Sequence, residues 1–431
     1  MSSPKPGDLV EVSVNGKTHL GILMPSPNLT GKDKILLKLK SGYNIGFDKK
    51  DVKSVKLIET CQEKKREGKT TTKTPGLKTI SVLSTGGTIS SKIDYRTGGV
   101  AAELSAKDLL DSMPELSGEV NLNPKSVMNV MSEDMTPKHW LNLAKEVAKE
   151  LNSGADGVVV THGTDTMHYS SAALSFLLNN TPKPIVFTGA QRSIDRGSSD
   201  GFMNLSCSIL LAKSDYAGVG LVMHSGIDDK TCFAHHGVRV RKMHTSRRDA
   251  FQSINAKPFA KISATGEIEF TGIHGKRDGG DVKLDGGLED KVAFIKAYPG
   301  MPKDLIDFYV EKKYKGIVFE GTALGHLPVS EKEHSLIPSI ERAIDAGLSL
   351  AMTTQCLFGR VHPNVYSNLR ELSSRGVIYC GDMLPEVGYV KMMWALNKSK
   401  SPYVVKKIML TNACGEISEK SVIDNDFMPD F

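Results

Sequence analysis

From Leu77 onward, short apolar runs alternate with longer segments of helical periodicity. The runs at 78–85, 155–162, 184–189 and 217–224 are apolar at most positions, which is typical of buried strands. Alternation of such strands with helices predicts a parallel sheet and therefore an α/β fold. This pattern constrains the fold of the chain more than any other feature of its sequence.

A second set of alternating elements follows a segment at 262–290 that is rich in Gly and Asp. Because these residues favour turns, the segment suits a hairpin and a connection between domains. The strand-like runs beyond it are 292–300, 315–321, 348–356 and 376–382. We therefore predict two α/β domains with mainly parallel sheets, at 77–280 and 290–431.

The first sixty residues follow a different pattern. Short runs alternate between apolar and polar residues, and Asn15-Gly16 separates two of them. This dipeptide is a strong hairpin signal, because both central positions of a type I′ turn require positive φ. We predict a small, mostly antiparallel, SH3-like β-barrel at 1–60. The segment 61–76 has a Lys/Arg cluster and, after Cys61, no apolar anchor, which indicates an exposed charged linker.

Composition excludes several classes of protein. The 431 residues carry a net charge of +6 and are 39% hydrophobic and 24% charged, as in an ordinary globular protein. No apolar run approaches the roughly 20 residues of a membrane span, and no secretory signal follows Met1. The six cysteines lie far apart without a CxxC pair, which favours buried thiols in a reducing cytosol. We expect a cytoplasmic protein, whose charge permits an RNA partner without indicating one.

Three polar clusters are expected where doubly wound sheets bind ligands, at the carboxyl ends of strands. They are TGGT at 85–88, SED at 132–134 and THGTDT at 161–166. The first is compatible with a plain turn or with close approach of a ligand to the main chain. The second can complement a helix dipole or hold the ammonium group of an amino acid. In the third, Asp165 or Thr166 can cap a helix or belong to a site. The spacing of His162 and His168 disfavours a metal site.

The basic segment 239–248 contains Lys242 beside several arginines. It is compatible with a solvated strand and loop. Alternatively, two arginines in the same strand disfavour the ammonium form of Lys242 and free it as a base. A threonine hydroxyl needs such a base to become a nucleophile, and a carboxylate can orient the base. Hydroxyls, an acid, a lysine and Gly-rich turns together favour acyl transfer by a small-molecule α/β enzyme.

These clusters, in this order, resemble the motifs of the bacterial-type asparaginase family. The matching segments are STGGTIS at 84–90, VMSEDMTP at 130–137, THGTDTM at 161–167, FTGAQR at 187–192, RKMHTSRRDAF at 241–251, and YPGM to EGTALGH at 298–326. The resemblance covers about 77–431 and implies that both α/β domains are asparaginase-like. It further implies amide hydrolysis through an acyl-threonine ester, with release of ammonia and with no metal or organic cofactor in this chain.

The same resemblance implies roles for individual residues. Thr85 would be the nucleophile that attacks the side-chain amide. Thr164, Asp165 and Lys242 would form a polar triad in which Lys242 is the base. Tyr95, in a segment similar to the family's mobile lid, would close over the site and assist Thr85. The residues implied in substrate binding are Ser132, Glu133, Gly86 and Gly163, of which the first two would hold the α-amino and α-carboxyl region.

With its added N-terminal module, the chain more narrowly resembles the D-subunit family of archaeal-type glutamyl-tRNA(Gln) amidotransferases. That resemblance implies a glutaminase that acts less favourably on L-asparagine and passes ammonia to an E subunit. The E subunit would bind Glu-tRNA(Gln), use ATP and Mg, and form Gln-tRNA(Gln) within a D2E2 assembly that contains a D homodimer. Two alternatives stay open: a free-standing cytosolic L-asparaginase, and a non-catalytic scaffold or RNA-binding protein on a hydrolase fold.

Overall fold

The computed structural model describes most of the chain, namely residues 4–24, 34–40, 43–60, 74–86, 118–193 and 198–421, and the backbone of 91–93 and 100–102. Tyr95 and most of the predicted linker lie outside these residues. The α-helices of the described part are α1 Pro137–Asn152, α2 Met167–Leu177, α3 Gly201–Lys213, α4 Asp304–Glu311, α5 Ile337–Asp345, α6 Ser367–Ser374, α7 Pro385–Lys398 and α8 Pro402–Leu410. Within the described residues, none of these helices has both the length and the apolarity that crossing a membrane requires.

The N-terminal module is antiparallel, as predicted, and its described residues form a sheet of five strands. Its strands are β1 Leu9–Val14, β2 Lys17–Met24, β3 Lys34–Leu39, β4 Asn44–Asp48 and β5 Val52–Glu59, in the spatial order β4-β3-β2-β1-β5. Asn15 and Gly16 have φ angles of 50° and 77°, as the type I′ turn between β1 and β2 requires. Val10, Val12 and Val14 alternate along β1 and are buried in the core of the module.

A larger sheet forms the body of the first α/β unit. Its strands are β6 Thr79–Ser84, β9 Asn121–Ser126, β10 Gly157–Thr161, β11 Pro184–Thr188, β12 Tyr216–His224, β13 Thr231–His236, β16 Ala260–Ser263, β17 Ile268–Phe270 and β18 Gly275–Lys276. Strands β9, β6, β10, β11 and β12 lie side by side in parallel. Strands β13, β16 and β17 extend the sheet antiparallel. The sheet is therefore mixed but mainly parallel.

Helix α1 shows how the apolar pattern fixes the packing. The 3.6-residue period of the sequence places five apolar residues on one face of this helix. All five are buried, and these are Trp140, Leu143, Ala144, Val147 and Leu151. Pro137 occupies the first turn, where its missing N–H costs nothing, and His139 Nδ1 accepts a hydrogen bond of 3.2 Å from the Thr136 N–H. The buried face holds α1 against the parallel sheet and fixes the chain that precedes it.

Two short antiparallel ribbons stand apart from this sheet. They pair β7 Ser91–Ile93 with β8 Val100–Ala102, and β14 Val240–Lys242 with β15 Phe251–Ser253. The second ribbon carries Lys242 at the end of β14, opposite Phe251, which is fully buried. The lysine thus projects from a short ribbon and not from a long strand of the sheet.

The run SVMNVM at 126–131, just before the SED cluster, predicts a strand, and this local prediction is wrong. Strand β9 ends at Ser126, and residues 127–131 are irregular. The chain instead follows the end of β6: the Val127 N–H donates to the Ser84 carbonyl at 2.9 Å, and the Val130 N–H to the Thr85 carbonyl at 2.9 Å. Hydrogen bonds to the end of a neighbouring strand thereby override the apolar pattern of the segment.

The second α/β unit has a parallel sheet of four strands, as predicted. They are β19 Val292–Lys296, β20 Gly316–Gly321, β21 Ser349–Thr354 and β22 Ile378–Tyr379, in that spatial order. The unit packs on the first one through α2 and α7, where the rings of Phe176 and Trp394 stack at 5.4 Å. Both side chains belong to an apolar cluster that spans the two units.

This packing predicts a large effect of truncation at the junction. Phe176 is fully buried, so Phe176→Ala removes an aromatic ring from a packed core and should lower the free energy of unfolding by about 3–5 kcal/mol. Phe308→Ala is the matched control, because Phe308 is 46% exposed and its truncation should change that free energy by about 0.5 kcal/mol or less. Denaturant unfolding of the full chain measures both. Equal effects of the two substitutions would contradict the role of the junction.

Candidate active site

Thr85 lies directly after β6, beside the end of β10. Its N–H donates to the Thr161 carbonyl at 3.0 Å, and its Oγ1 donates to the same carbonyl at 3.1 Å. The side chain is buried, with 1% of its surface exposed. The hydroxyl is therefore held at the carboxyl edge of the parallel sheet, where the sequence predicts a site.

Two glycines let three polar turns come close together. Gly86 has a φ of 105°, and a Cβ there would lie 2.8 Å from the Val130 carbonyl oxygen. A Cβ on Gly163 would lie 2.8 Å from the Cβ of Ser132. Both distances are shorter than a real Cβ contact allows, so larger residues at either position would push the turns apart. The glycines thus have a packing role, whatever they contribute to substrate binding.

Lys242 brings the second turn and the β14–β15 ribbon together. Its Nζ donates to Thr164 Oγ1 at 2.9 Å and to Asp165 Oδ1 at 2.6 Å. The lysine side chain is 10% exposed and that of Asp165 is 65% exposed. The three residues that the resemblance groups as a triad are therefore in direct contact, with the carboxylate on the solvent side of the ammonium group.

The arginines beside Lys242 do not face the lysine but pair with acids of the second α/β unit. Arg239 pairs with Asp382, and Arg241 pairs with Glu386, each at 3.0 Å. Because successive side chains of a strand point to opposite faces, both arginines lie on the face away from Lys242. Each guanidinium charge is therefore matched by a carboxylate. These pairs were not foreseen, since neither acid belongs to a motif of the sequence.

Ser132 and Glu133 form a 3₁₀ turn, Ser132–Asp134, ahead of α1. Ser132 is buried and Glu133 is exposed. Thr166 Oγ1 donates to the Ser132 carbonyl at 2.6 Å, which ties this turn to the one that follows β10. Thr166 occupies the N-cap position of α2 but makes no side-chain capping bond. Its hydroxyl therefore serves the junction between turns and not the helix cap.

A buried hydrogen-bond chain that sequence reasoning missed fixes the Gly163 main chain. Trp140 Nε1 donates to Ser170 Oγ at 2.9 Å, and Ser170 Oγ lies 2.8 Å from His162 Nε2. His162 Nδ1 lies 2.6 Å from the Gly163 carbonyl oxygen. Since the carbonyl can only accept, Nδ1 carries the proton and Nε2 accepts from Ser170. One neutral tautomer of His162 therefore satisfies both of its hydrogen-bond partners. No sequence motif indicates that Trp140, Ser170 and His162 would meet.

His162 and His168 are buried histidines whose surroundings favour the neutral ring. Both nitrogens of His162 are used within the protein. Burial lowers the pKa of His162 to about 4 and that of His168 to about 3, with the nearby charge of Arg241 adding to the second shift. Among the described residues, no group of three or more His, Cys, Asp or Glu side chains is arranged to hold a metal ion.

Three family models match the chain. The GatD N-terminal domain matches residues 4–58, the N-terminal asparaginase domain matches 79–273, and the glutaminase/asparaginase C-terminal domain matches 291–409. The residues gathered at the carboxyl edge of the first sheet, from Thr85 to Lys242, lie within the second of these matches. The N-terminal β module is matched separately from the asparaginase-like part.

D subunits of two glutamyl-tRNA(Gln) amidotransferases match nearly the whole chain. The D subunit of the Pyrococcus abyssi glutamyl-tRNA(Gln) amidotransferase is 50% identical over 415 residues, which are 94% of this chain and 92% of that protein. The D subunit of the Pyrococcus furiosus glutamyl-tRNA(Gln) amidotransferase is 51% identical over 401 residues, which are 92% and 90% of the two chains. The chain belongs to this family of amidotransferase D subunits.

Solved asparaginase structures match the fold of about four fifths of this chain. The thermostable L-asparaginase of Thermococcus kodakarensis is 31% identical with a TM-score of 0.72, and it matches 79% of this chain and 100% of its own. L-asparaginase I of Vibrio cholerae is 28% identical with a TM-score of 0.68, and it matches 80% of this chain and 100% of its own. The predicted fold class, an asparaginase-like α/β body with an N-terminal β module, is confirmed.

Buried neutral histidines predict a loss of stability in mild acid. Burial lowers the pKa of His162 and His236 to about 4, and that of His168 and His235 to about 3. The unfolded chain binds protons at these groups near pH 6.5, whereas the folded chain does not until the pH falls to about 4. Stability therefore falls as the pH drops between these values, by about 1.4 kcal/mol per histidine at about pH 5.5.

Urea unfolding between about pH 7 and pH 5.5 measures this loss. His162→Gln should remove the contribution of one histidine from the pH dependence of the unfolding free energy, even if it lowers stability overall. The exposed His362 provides the control, and His362→Gln should leave the pH dependence unchanged. An unaltered slope in His162→Gln would show that His162 takes up its proton at the same pH in the folded and unfolded chains, which would contradict the lowered pKa.

Proposed function

We propose that this chain is a glutaminase that hydrolyses the side-chain amide of L-glutamine and supplies ammonia for the formation of Gln-tRNA(Gln). The observation that carries the proposal is the contact of Lys242 Nζ with both Thr164 Oγ1 and Asp165 Oδ1, on the turn beside Thr85. A hydroxyl, a lysine and an orienting carboxylate are the groups that acyl transfer by a threonine requires. Membership of the amidotransferase D-subunit family supports the same chemistry.

In the proposed reaction, Thr85 Oγ1 attacks the amide carbon and forms a tetrahedral intermediate. The C–N bond then breaks, the nitrogen leaves as ammonia with the proton that came from the hydroxyl, and an acyl-threonine ester remains. Water cleaves the ester, releases glutamate and restores Thr85. Because the Thr85 hydroxyl donates to the Thr161 carbonyl, a base must take its proton for the attack to begin.

The threonines have different surroundings, which supports different roles. Thr164 Oγ1 accepts a hydrogen bond from Lys242 Nζ. Thr164 is therefore the hydroxyl that can exchange a proton directly with the lysine. Thr85 contacts a main-chain carbonyl instead and has the position of the nucleophile in the asparaginase resemblance. Asp165 orients the lysine, which accepts a proton only in its neutral form. Tyr95 lies outside the described residues, and its role in closing the site stays a prediction.

Substrate binding is assigned to the turns around Gly86 and Gly163. Ser132 and Glu133 lie on the 3₁₀ turn against which Gly163 packs. An exposed carboxylate at Glu133 suits the α-ammonium group of an amino acid, and the main chain at the glycine turns can approach its carboxylate. The assignment needs no metal or organic cofactor in this chain.

The partner follows from the family and from the N-terminal module. We infer an E subunit that receives the ammonia, binds Glu-tRNA(Gln) and holds the ATP and Mg that its activation requires. Two D and two E chains, with a homodimer of D, would form the assembly. Alignment with D subunits through the β module, at 92–94% of this chain, supports a subunit over a free-standing enzyme.

A free-standing L-asparaginase is the second candidate. The solved L-asparaginases align along their whole length with about four fifths of this chain, which favours amide hydrolysis on either substrate. The β module lies outside the asparaginase domain models, which match 79–273 and 291–409. The two candidates share the reaction and differ in the partner, so they can be separated by adding the partner.

Substitutions at the triad test the chemistry. Lys242→Ala should lower kcat for ammonia release by at least about 100-fold, the usual worth of a general base, and Thr85→Ala should abolish turnover. Neither change removes an apolar core residue, so both variants should stay folded. Lys230→Ala is the matched control, since this lysine is 82% exposed and its carboxylate partner is Asp228, which is not part of the triad. Full turnover by Lys242→Ala would exclude the lysine as the essential base.

Ammonia release from L-glutamine and L-asparagine tests the function itself. The full chain is assayed alone and then with E subunit, Glu-tRNA(Gln), ATP and Mg. For an amidotransferase subunit, release from glutamine should be weak alone and rise sharply in the full mixture. Rapid hydrolysis of asparagine by the chain alone, unchanged by the mixture, would instead identify an asparaginase.

A further inference from the structure

The strand that carries Lys242 has two faces with different attachments. On one face, Val240 is buried in the core of the first α/β unit, and Lys242 reaches the turn that follows β10. On the other face, Arg239 and Arg241 reach residues of the second α/β unit. The alternation of side chains along a strand therefore places β14 between the two units.

Arg239 makes the more buried of the two attachments to the second unit, here called the inner attachment. Its Nη1 donates to Asp382 Oδ2 at 3.0 Å, its Nε to the Gly415 carbonyl at 2.7 Å, and its Nη2 to Ser418 Oγ at 2.9 Å. Both members of the ion pair are 4% exposed. Removal of Arg239 would leave Asp382 as an uncompensated buried charge, which is strongly destabilising. This attachment is therefore part of the fold.

Arg241, next to Lys242 along the chain, makes the more exposed attachment, here called the outer attachment. Its Nη2 lies 3.0 Å from Glu386 Oε1, and Glu386 stands in the first turn of α7 with 5% of its side chain exposed. Glu386 Oε2 is buried without a hydrogen-bond partner in the described part of the chain. Burial raises the pKa of Glu386, and the charge of Arg241 opposes that shift. Arg241 is thus the ion-pair partner of this carboxylate, and the backbone N–H of Glu386 and the charge of Lys296 act in the same direction.

We propose that Glu386, through its ion pair with Arg241, positions Lys242 against Thr164 and Asp165, so that the second α/β unit controls the geometry of the catalytic site. The inference rests on the proposed function, because it concerns the group that moves the proton. Glu386 and Arg241 are positioning residues that act through the strand between them and the lysine.

The small size of the β14–β15 ribbon makes such positioning effective. The ribbon pairs three residues with three, and isolated ribbons of this kind are marginally stable. Val240 and Phe251 anchor its base in the apolar core, so loss of the outer ion pair should loosen the lysine without unfolding the ribbon. A displacement of about 1 Å at a catalytic group can cost about 100-fold in rate.

Steady-state ammonia release by the full chain tests the proposal with Arg241→Ala, Glu386→Ala and the double variant, each in the complete mixture with E subunit, Glu-tRNA(Gln), ATP and Mg. Each single variant should lower kcat by about 10- to 100-fold with little change in KM. If the two residues act as one pair, the double variant should be no slower than the slower single variant. Arg241→Lys keeps the charge and should recover most of kcat.

Arg375→Ala is the matched control. Arg375 is 29% exposed, close to the 26% of Arg241, and pairs with Glu341 at 2.7 Å between helices α5 and α6 of the second unit. Its loss should leave kcat within about twofold of the original chain. Glu386→Gln, which keeps the shape and one acceptor, replaces Arg241→Ala if that variant fails to fold.

Hydrogen exchange gives a second readout that does not depend on activity. Amides of 240–251 should exchange faster in Arg241→Ala and at the original rate in Arg375→Ala. Unchanged kcat, or losses that multiply in the double variant, would overturn the proposal. If the original chain releases no ammonia in the complete mixture, the proposed function fails. The exchange result then decides the positioning alone: faster exchange supports it and unchanged exchange overturns it.

Discussion

The register between β6 and β10 is the constraint on which the site depends. Ser84 pairs with Thr161 across these parallel strands, so both strands end at the same edge of the sheet. This pairing brings Thr85 within hydrogen-bond distance of the carbonyl of a residue 76 positions later. A slip of one residue would turn the side chains of the strand to the opposite face. The turns, the glycine contacts and the reach of Lys242 all presuppose this register.

Much of this architecture was predictable because it depends on local patterns. The positive φ of Asn15 and Gly16 follows from the chemistry of one turn, and the buried face of α1 follows from helical periodicity. The approach of Lys242 to Thr164 and Asp165 was available only through the resemblance, since spacing alone left a helix cap equally open. The domain boundaries and the cytoplasmic location stay predictions, as do the substrate-binding roles of Ser132, Glu133, Gly86 and Gly163.

The features that escaped prediction depend on contacts between distant segments. Arg239 meets Asp382 across 143 positions, and neither residue is marked by a pattern that sets it apart from a solvated charge. The chain from Trp140 through Ser170 to His162 joins three elements that only the finished fold brings together. The irregular path after Ser126 has the same cause, because its hydrogen bonds go to the end of β6. Tertiary docking, and not local preference, decides each of these.

The attachment of Arg239 has a consequence for recombining domains among related proteins. The boundary between the two α/β units reads as a natural place to join halves of different origin. The guanidinium group, however, is held by Asp382, the Gly415 carbonyl and Ser418, all from the far side of that boundary. A hybrid that takes the arginine from one parent must inherit the loop around residues 415–418 and the turn before α7 from the same parent. The two units therefore cannot be exchanged independently at this boundary, although each has a sheet of its own.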